Sequence, residues 1–270
     1  MREFEGDAKR MVTEQADAVQ RRNLALSLSL TVAERVYAAS AAIHALDAAV
    51  EVQGRAAGMP VSAEALIVGA GLAGLIIGSE LSRAGASIAI LERSARIGGV
   101  WRWQGNPHSR VNSTEPVYRV RVHRTQVKTD HSYFYQIIDD LRLILKQAHL
   151  ASCLHLRANV IGVSASRSAQ GLWLAHGQRL NAMTSERFEL EVLRLVVLCT
   201  SRRLGRPRQQ FYDYECNFRG HVIRGLTGDN VGLPWSGKQV VILGHGPFAI
   251  EQARTALVPP PAAARRQNAG

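Results

Sequence analysis

Cysteine is scarce in this 270-residue chain, which has three cysteines, all far apart. An odd number of well-separated cysteines fits reduced thiols better than a disulfide framework. Metal-ligand spacing is also missing, because Cys153 and His155 are the single close pair of a cysteine and a histidine. We therefore expect neither structural disulfides nor a bound metal.

Long hydrophobic runs are missing as well. The longest nearly apolar stretch, residues 65–79, contains four glycines and is shorter than the roughly 18 residues that a membrane-spanning helix needs. The N-terminal segment lacks a short apolar core, and its four acidic residues within positions 3–14 are atypical of an organelle transit peptide. We expect no membrane span and an intracellular, cytoplasmic protein.

Acidic residues are outnumbered by basic ones, 22 against 33, which gives a formal net charge of +11. Clustered Lys and Arg neutralise phosphates, so this excess raises nucleic acid as a candidate partner. The basic clusters at residues 119–128 and 202–208 are short, and no nucleic-acid-binding motif surrounds them. A short run of charge is usually a solvated face, so we expect no nucleic-acid partner.

The 46% of residues that are hydrophobic predict a globular chain with a sizeable core. Residues 1–62 read as a helical N-terminal extension, since Thr31 and Glu34 fit a capping box and apolar residues recur at spacings of four and three from Val32 to Val50. Such a stripe packs on the body of the protein or forms a short coiled-coil contact.

From residue 65 the pattern becomes that of an α/β protein. A short apolar strand, a glycine turn, a helix through Leu81 and a second strand at residues 87–91 predict a βαβ opening. Apolar residues at 3.6-residue spacing predict a later helix between Phe134 and Ala148. Further strands are predicted at residues 158–163, 171–175, 187–193, 195–199 and 239–243. The middle ones suggest a small antiparallel meander inserted in an α/β domain, and the last strand leads into a helix that Pro259 must stop.

The turn between the first strand and its helix carries the chemistry. Gly69, Gly71 and Gly74 form a G-x-G-x-x-G fingerprint, in which the glycines permit a tight turn, a close approach of pyrophosphate and close packing of helix on strand. Glu92 ends the second strand, where a carboxylate accepts hydrogen bonds from ribose hydroxyls. The alternative is a glycine turn in an α/β fold that binds no nucleotide.

The segment that follows resembles a known family. Glu92-Arg93-Ser94 and then Gly98-Gly99-Val100-Trp101 look like the segment that flavin-containing monooxygenases and their Baeyer–Villiger relatives place after the first βαβ unit. The run at residues 110–114 resembles the family's Asn-Thr-Ser neighbourhood, and a second glycine turn at residues 244–249 stands where the family binds NADPH. The resemblance covers about residues 64–257.

The resemblance implies a set of site residues. It implies one catalytic residue, Asn112, beside the flavin, for which an Asx turn is the alternative. The residues implied to bind FAD are Gly69, Gly71, Leu72, Ala73, Gly74, Glu92, Arg93, Gly99 and Trp101. Those implied to bind NADPH are Gly244, Gly246 and Ala249.

The fold class that follows is a Rossmann-like FAD-binding domain with an inserted antiparallel meander and the start of a second, NADPH-binding Rossmann domain. Family members run longer, so we expect residues 63–235 to be the first part of the FAD-binding domain and residues 236–270 to be a truncated start of the NADPH-binding domain.

The activity that the resemblance implies is that of an FAD-dependent, NADPH-using monooxygenase. Such an enzyme transfers one oxygen atom from dioxygen to a nitrogen- or sulfur-containing small molecule through a flavin hydroperoxide. One alternative is a flavin-dependent disulfide reductase, but its close cysteine pair is lacking. The other is a non-catalytic, truncated nucleotide-binding remnant or interaction module. The substrate and the oligomeric state stay open.

Overall fold

The computed structural model describes residues 58–105, 108–113, 118, 120–124, 128, 131–167, 172–180, 185–201, 212–223, 233, 235 and 237–257. The predicted helical stripe at residues 32–50 lies outside the described residues. The same holds for the proline stop at residues 259–261 and for the second basic cluster at residues 202–208.

The predicted βαβ opening is confirmed. Strand β1 spans Ser62–Val68, helix α1 spans Leu72–Arg83 and strand β2 spans Ile88–Glu92. β1 and β2 pair in parallel, with Ala65 opposite Ile88. Both strands are almost wholly buried, because a parallel strand covered on its two faces is built from a continuous apolar run.

The remaining elements follow in chain order. They are α2 Val100–Trp103, α3 Phe134–Gln147, a 3-10 turn Leu150–Ser152, β3 Leu154–Leu156, β4 Ala158–Ala165, β5 Trp173–Leu180, β6 Ser185–Leu198, a second 3-10 turn Glu215–Asn217 and α4 Pro247–Leu257. Among the helices of the described ranges, none is long and apolar enough to cross a membrane.

The six strands form one mixed sheet in the order β3-β2-β1-β6-β5-β4. β3, β2, β1 and β6 are parallel, and β4, β5 and β6 form an antiparallel meander. The long strand β6 belongs to both parts, since residues 185–192 pair with β5 and residues 191–198 pair with β1. The predicted α/β class with an inserted meander is thus confirmed.

Three strand predictions need correction. The strands predicted at residues 187–193 and 195–199 are one strand, because the polar Arg194 points outward to Glu64 on β1, 3.4 Å away, and does not end the ladder. β3 was missed, since three residues are too few for a periodic pattern. Residues 239–243 form no strand, because a strand needs a hydrogen-bonded neighbour and none of the described segments pairs with them.

Two buried clusters lie on the two faces of the sheet. Neighbouring residues of β1 point to opposite faces, so Ile67 joins α1 and α3 in one cluster and Leu66 joins β4, β5 and β6 in the other. The apolar stripe predicted for α3 is confirmed. Its buried members are Phe134, Ile137, Ile138, Leu141, Ile144 and Leu145. Packing on both faces therefore keeps the carboxyl ends of β1, β2 and β6 together at one edge of the sheet.

Two glycines of α1 give a matched test of this packing. A Cβ on Gly74 would overlap the carbonyl oxygen of Gly69, whereas a Cβ on Gly78 would meet the end of the Ile90 side chain at 2.8 Å. We expect Gly74→Ala to lower the free energy of unfolding by about 3 kcal/mol or more, since backbone cannot yield. Gly78→Ala should cost about 1 kcal/mol or less, because Ile90 can shift and alanine favours the helix. Urea unfolding measures both, and equal losses would contradict this packing.

Candidate functional site

The first glycine turn lies at the carboxyl edge of the parallel strands, where open α/β sheets bind ligands. The amide of Gly69 donates to the carbonyl oxygen of Leu91 at the end of β2, at 2.8 Å. Gly69 has a φ of +107°, and a Cβ on it would lie 2.7 Å from the carbonyl oxygen of Cys199, just beyond β6. A residue with a side chain would be strained here and would push β6 away, so the turn requires glycine.

The second glycine pair packs directly on this turn. The amide of Gly98 donates to the carbonyl oxygen of Ala70 at 3.0 Å. Gly99 has a φ of +53°, and a Cβ on it would lie 3.1 Å from the Cα of Gly71. The structure thus brings the G-x-G-x-x-G turn and the Gly-Gly-x-Trp segment together into one cradle of bare backbone, which we call the glycine cradle (Gly69–Gly71 with Gly98–Gly99).

Helix α1 points its N-terminus at the glycine cradle. Its N-cap residue is Gly71, which has no side chain to cap the first-turn amides. Those amides and the positive end of the helix dipole favour an anionic group. Leu72 is half-buried and Ala73 is exposed at this first turn, whereas Gly74 is buried beneath it. The cradle therefore has the chemistry of a pyrophosphate site.

Glu92 has a structural contact that the sequence did not predict. It is 8% exposed, and its Oε2 accepts from the amide of Ala70 at 2.8 Å while its Oε1 accepts from the amide of Ser94, also at 2.8 Å. The carboxylate thus ties the glycine turn to the segment after β2. Its contact with a ribose stays a prediction. The neighbouring Arg93 is exposed.

Trp101 is held by a tyrosine that the sequence did not single out. Its indole Nε1 donates to the hydroxyl of Tyr118 at 2.7 Å, and the two rings meet edge to face with centroids 5.9 Å apart. Burial raises the pKa of the Tyr118 hydroxyl, against the lowering effect of the indole hydrogen bond. Tyr118 therefore stays protonated and fixes the orientation of Trp101.

Part of the basic cluster at residues 119–128 is not a solvated face, which corrects the sequence prediction. Arg124 forms two hydrogen bonds of 2.8 Å with the carboxylate of Asp140 on α3, and Lys128 binds the same carboxylate. The Arg124 and Lys128 side chains are 15% and 7% exposed, and that of Asp140 is 3% exposed. A buried carboxylate needs such partners, so these cations hold the connecting segment on α3.

Asn112 and the second glycine turn line the same groove. The groove has a volume of about 320 Å³ and is lined by Arg110, Val111, Asn112, His131, His245, Pro247, Ile250, Glu251 and Arg254. Asn112 is exposed, and α4 begins directly after Gly246, whose carbonyl oxygen accepts from the amide of Ala249 at 3.0 Å. A Cβ on Gly244 or Gly246 would meet nothing within 4 Å, so this turn is open. The structure brings together two motifs that the sequence placed far apart.

Glu251 and Ser109 join the two walls of this groove. The hydroxyl of Ser109 donates to Oε2 of Glu251 at 2.7 Å, and both residues are buried. Burial raises the pKa of the Glu251 carboxyl, although the Ser109 hydroxyl, the Arg110 amide and the Arg254 charge lower it. The sequence gives only a weak signal for the contact between Ser109 and Glu251. That signal is an acidic residue, one helical turn before Thr255, on the helix that follows the second glycine turn.

Comparison with known proteins identifies relatives of the chain. Residues 67–125 match the family model of an NAD(P)-binding Rossmann-like domain. The FAD-binding monooxygenase VdtE of Byssochlamys spectabilis is 22% identical over 196 residues, which are 71% of this chain and 33% of that protein. The flavin-containing monooxygenase FMO GS-OX-like 2 of Arabidopsis thaliana is 40% identical over 63 residues, 22% of this chain and 13% of that protein. The predicted resemblance to flavin-containing monooxygenases is confirmed.

A solved structure shares the fold of the chain. OTEMO in complex with FAD and NADP superposes with a TM-score of 0.54 at 15% sequence identity, over 75% of this chain and 38% of that one. The two curated monooxygenases are matched over a third of their length or less.

The buried Glu92 gives a stability test that needs no ligand. Glu92→Gln would place an amide NH₂ against the backbone amide of Ala70 or Ser94, so a buried donor would lose its acceptor. We expect a loss of about 1–3 kcal/mol in the free energy of unfolding. The matched control is Glu64→Gln, because Glu64 also accepts from a backbone amide, that of Ser87 at 2.8 Å, but at an exposed site. Urea unfolding without nucleotide compares them, and a control as costly as Glu92→Gln would contradict the structural role.

The raised pKa of Glu251 predicts a pH dependence of stability. Folding favours the protonated carboxyl, so this contribution is fully present below the ordinary pKa of 4.5 and is lost as pH rises through the higher folded value. The stability of the wild type relative to Glu251→Gln should therefore fall between acid pH and neutrality. Urea midpoints over a pH series measure this, with Glu80→Gln at an exposed glutamate of α1 as control. A difference that does not change with pH would contradict the shift.

Proposed function

We propose that the chain carries the FAD-binding region of an FAD- and NADPH-dependent monooxygenase, an oxidoreductase. The reaction would transfer one oxygen atom from dioxygen to a nucleophilic small molecule containing nitrogen or sulfur. The observation that carries the proposal is the glycine cradle, in which the backbones of Gly71 and Gly99 approach each other in front of the N-terminus of α1. The names of the relatives support FAD and a monooxygenase reaction.

The residues of the cradle fit the diphosphate and ribose of FAD. The first-turn amides of α1, from Leu72 to Gly74, would donate to the pyrophosphate, and the absence of side chains at Gly71 and Gly99 would let it approach the backbone. Glu92 would accept from the ribose with the lone pairs that Ala70 and Ser94 leave free. The exposed Arg93 would contact the cofactor from outside, and Trp101 would pack beside it.

The groove between Asn112 and α4 would take part of a second dinucleotide. Gly244, Gly246 and Ala249 would hold the pyrophosphate of NADPH at the N-terminus of α4. Arg110 and Arg254 line the same groove and give it a cationic character that suits phosphate, and His131 and His245 lie in the same lining. Asn112 would lie between the two cofactors. We propose that residues 63–235 are the FAD-binding part and that residues 236–270 are the start of the NADPH-binding part. We also propose that the protein is cytoplasmic.

The chain's own contribution is binding, orientation and exclusion of water. FAD, when bound, would supply the redox chemistry that takes electrons from NADPH and activates dioxygen. Asn112 would orient the reacting ring by hydrogen bonding, and Trp101, fixed by Tyr118, would shield one side of it. No acid–base pair is required of the protein for this reaction.

A second candidate function is a nucleotide-binding interaction module without catalysis. The observation that favours it is the exposed apolar segment before α4, in which Val241 is 83% exposed and Leu243 is 71% exposed. An exposed apolar stretch of this kind marks a contact surface. A module of this type would bind a nucleotide without oxidising NADPH.

Flavin binding by the full chain separates these functions. Gly71→Ala adds a Cβ that would meet the Cα of Gly99 at 3.6 Å, an ordinary contact, so the free protein should fold with wild-type stability. The added methyl would occupy the approach of the pyrophosphate, and we expect a loss of FAD affinity of about tenfold or more. Gly58→Ala, where a Cβ meets nothing within 4 Å, is the control.

The measurements are the absorption spectrum after FAD loading and desalting, the melting temperature of the free protein, and NADPH oxidation by the loaded protein. A colourless wild type would overturn FAD binding. Flavin binding without NADPH oxidation faster than that of free FAD would favour the interaction module.

A further inference from the structure

Helix α4 attaches to the rest of the chain through polar groups. The buried residues of α4 are Glu251 and Thr255, one turn apart on the same face. The apolar Phe248, Ile250 and Leu257 are 47%, 53% and 80% exposed. Apolar packing tolerates sliding, whereas a hydrogen bond fixes distance and direction. The contact of Glu251 with Ser109 therefore contributes to fixing the position of α4 and of the glycine turn before it.

The partner of Glu251 is itself rigidly held. The carbonyl oxygen of Ser109 accepts from the amide of Phe134 at 3.0 Å, and the amide of Val111 donates to the carbonyl oxygen of Ser132 at 2.9 Å. These two bonds form an antiparallel bridge at the start of α3, in which Arg110 lies opposite Tyr133. Segment 109–111 is thus anchored to the core and leads directly to Asn112.

The bridge leaves the amide of Arg110 directed away from Tyr133. In this type of bridge the central residue makes no ladder hydrogen bond of its own. Burial raises the pKa of the Glu251 carboxyl, and the Ser109 hydroxyl and the neighbouring Arg110 amide act against that rise. Glu251 therefore binds the anchored segment at the Ser109 hydroxyl, through a contact that spans 142 positions of sequence, and the Arg110 amide is the adjacent donor.

We propose that Glu251 is a positioning residue that sets the distance between the second glycine turn and Asn112. Through Ser109 and the Arg110 amide it holds α4 against segment 109–111, so that a dinucleotide on Gly244–Gly246 reaches a flavin beside Asn112. The inference rests on the proposed function and adds to it the element that aligns the two cofactors. Displacing reactants by about 1 Å costs up to about 10²-fold in rate, which is why such a contact matters.

Hydrogen exchange tests the contact without any cofactor. In the full chain, Glu251→Leu keeps the size of the side chain and removes both acceptor oxygens. Exchange of the Arg110 amide should rise about tenfold or more, while the Val111 and Phe134 amides, which are bonded within the bridge, stay protected. Glu251→Gln keeps one acceptor oxygen and should give an intermediate rate. Unchanged exchange at Arg110 in Glu251→Leu would overturn the inference.

The consequence for cofactor alignment is measured on FAD-loaded protein. The rate of anaerobic flavin reduction at saturating NADPH should fall about tenfold or more in Glu251→Leu. It should fall by a smaller factor in Glu251→Gln and Ser109→Ala. The FAD affinity of all three variants should be unchanged. Leu257→Ala, on the exposed end of α4, is the control and should reduce at the wild-type rate.

Different results would contradict the proposed function and the positioning role of Glu251. A wild type that binds no FAD overturns the proposed function and this inference with it. A wild-type reduction rate in Glu251→Leu, together with faster exchange at Arg110, overturns the positioning role alone. If Glu251→Leu does not fold, Glu251→Gln and Ser109→Ala carry both measurements, and wild-type exchange and reduction in both variants overturn the inference.

Discussion

The backbone contact between α1 and the end of β1 is the constraint on which the rest of the structure depends. A Cβ on Gly74 would overlap the carbonyl oxygen of Gly69, so helix and turn meet without intervening side chains. This contact sets the direction in which α1 leaves the sheet and keeps its first-turn amides at the carboxyl edge of β1, β2 and β6. It also leaves room for Gly99 to lie against Gly71, so that a second motif completes the same cradle.

Three buried carboxylates then attach distant segments to this framework. Glu92 binds backbone amides on either side of β2, Asp140 binds two cations of the segment before α3, and Glu251 binds segment 109–111. A buried carboxylate is costly unless its oxygens are satisfied, and breaking such a contact costs more than forming it contributes. These contacts therefore give specificity of position more than net stability.

The two glycine turns differ in how far they are prepared for a ligand. The first is enclosed by β2, β6 and Gly99. The second is open, since no atom lies within 4 Å of a Cβ built on Gly244 or Gly246, and its helix is held mainly by Glu251. A preformed site loses little entropy on binding, whereas an open one must be ordered. The second turn therefore depends more than the first on contacts of its helix, such as that of Glu251 with Ser109.

The sequence by itself determined the βαβ opening, the apolar stripe of α3 and the residues of the glycine cradle. The spacing of apolar residues along a strand or a helix, and the positions that require glycine, depend on a few neighbouring residues. The sequence prediction was wrong at Arg194, where a polar residue lies within a continuous strand. It was also wrong at residues 239–243, where an apolar run pairs with no other segment in the described part of the chain. Only the tertiary structure decided that Gly71 meets Gly99, that Arg124 and Lys128 are buried against Asp140, and that Ser109 binds Glu251. Those contacts join residues far apart in the chain, and no local pattern specifies which distant group will satisfy a buried charge.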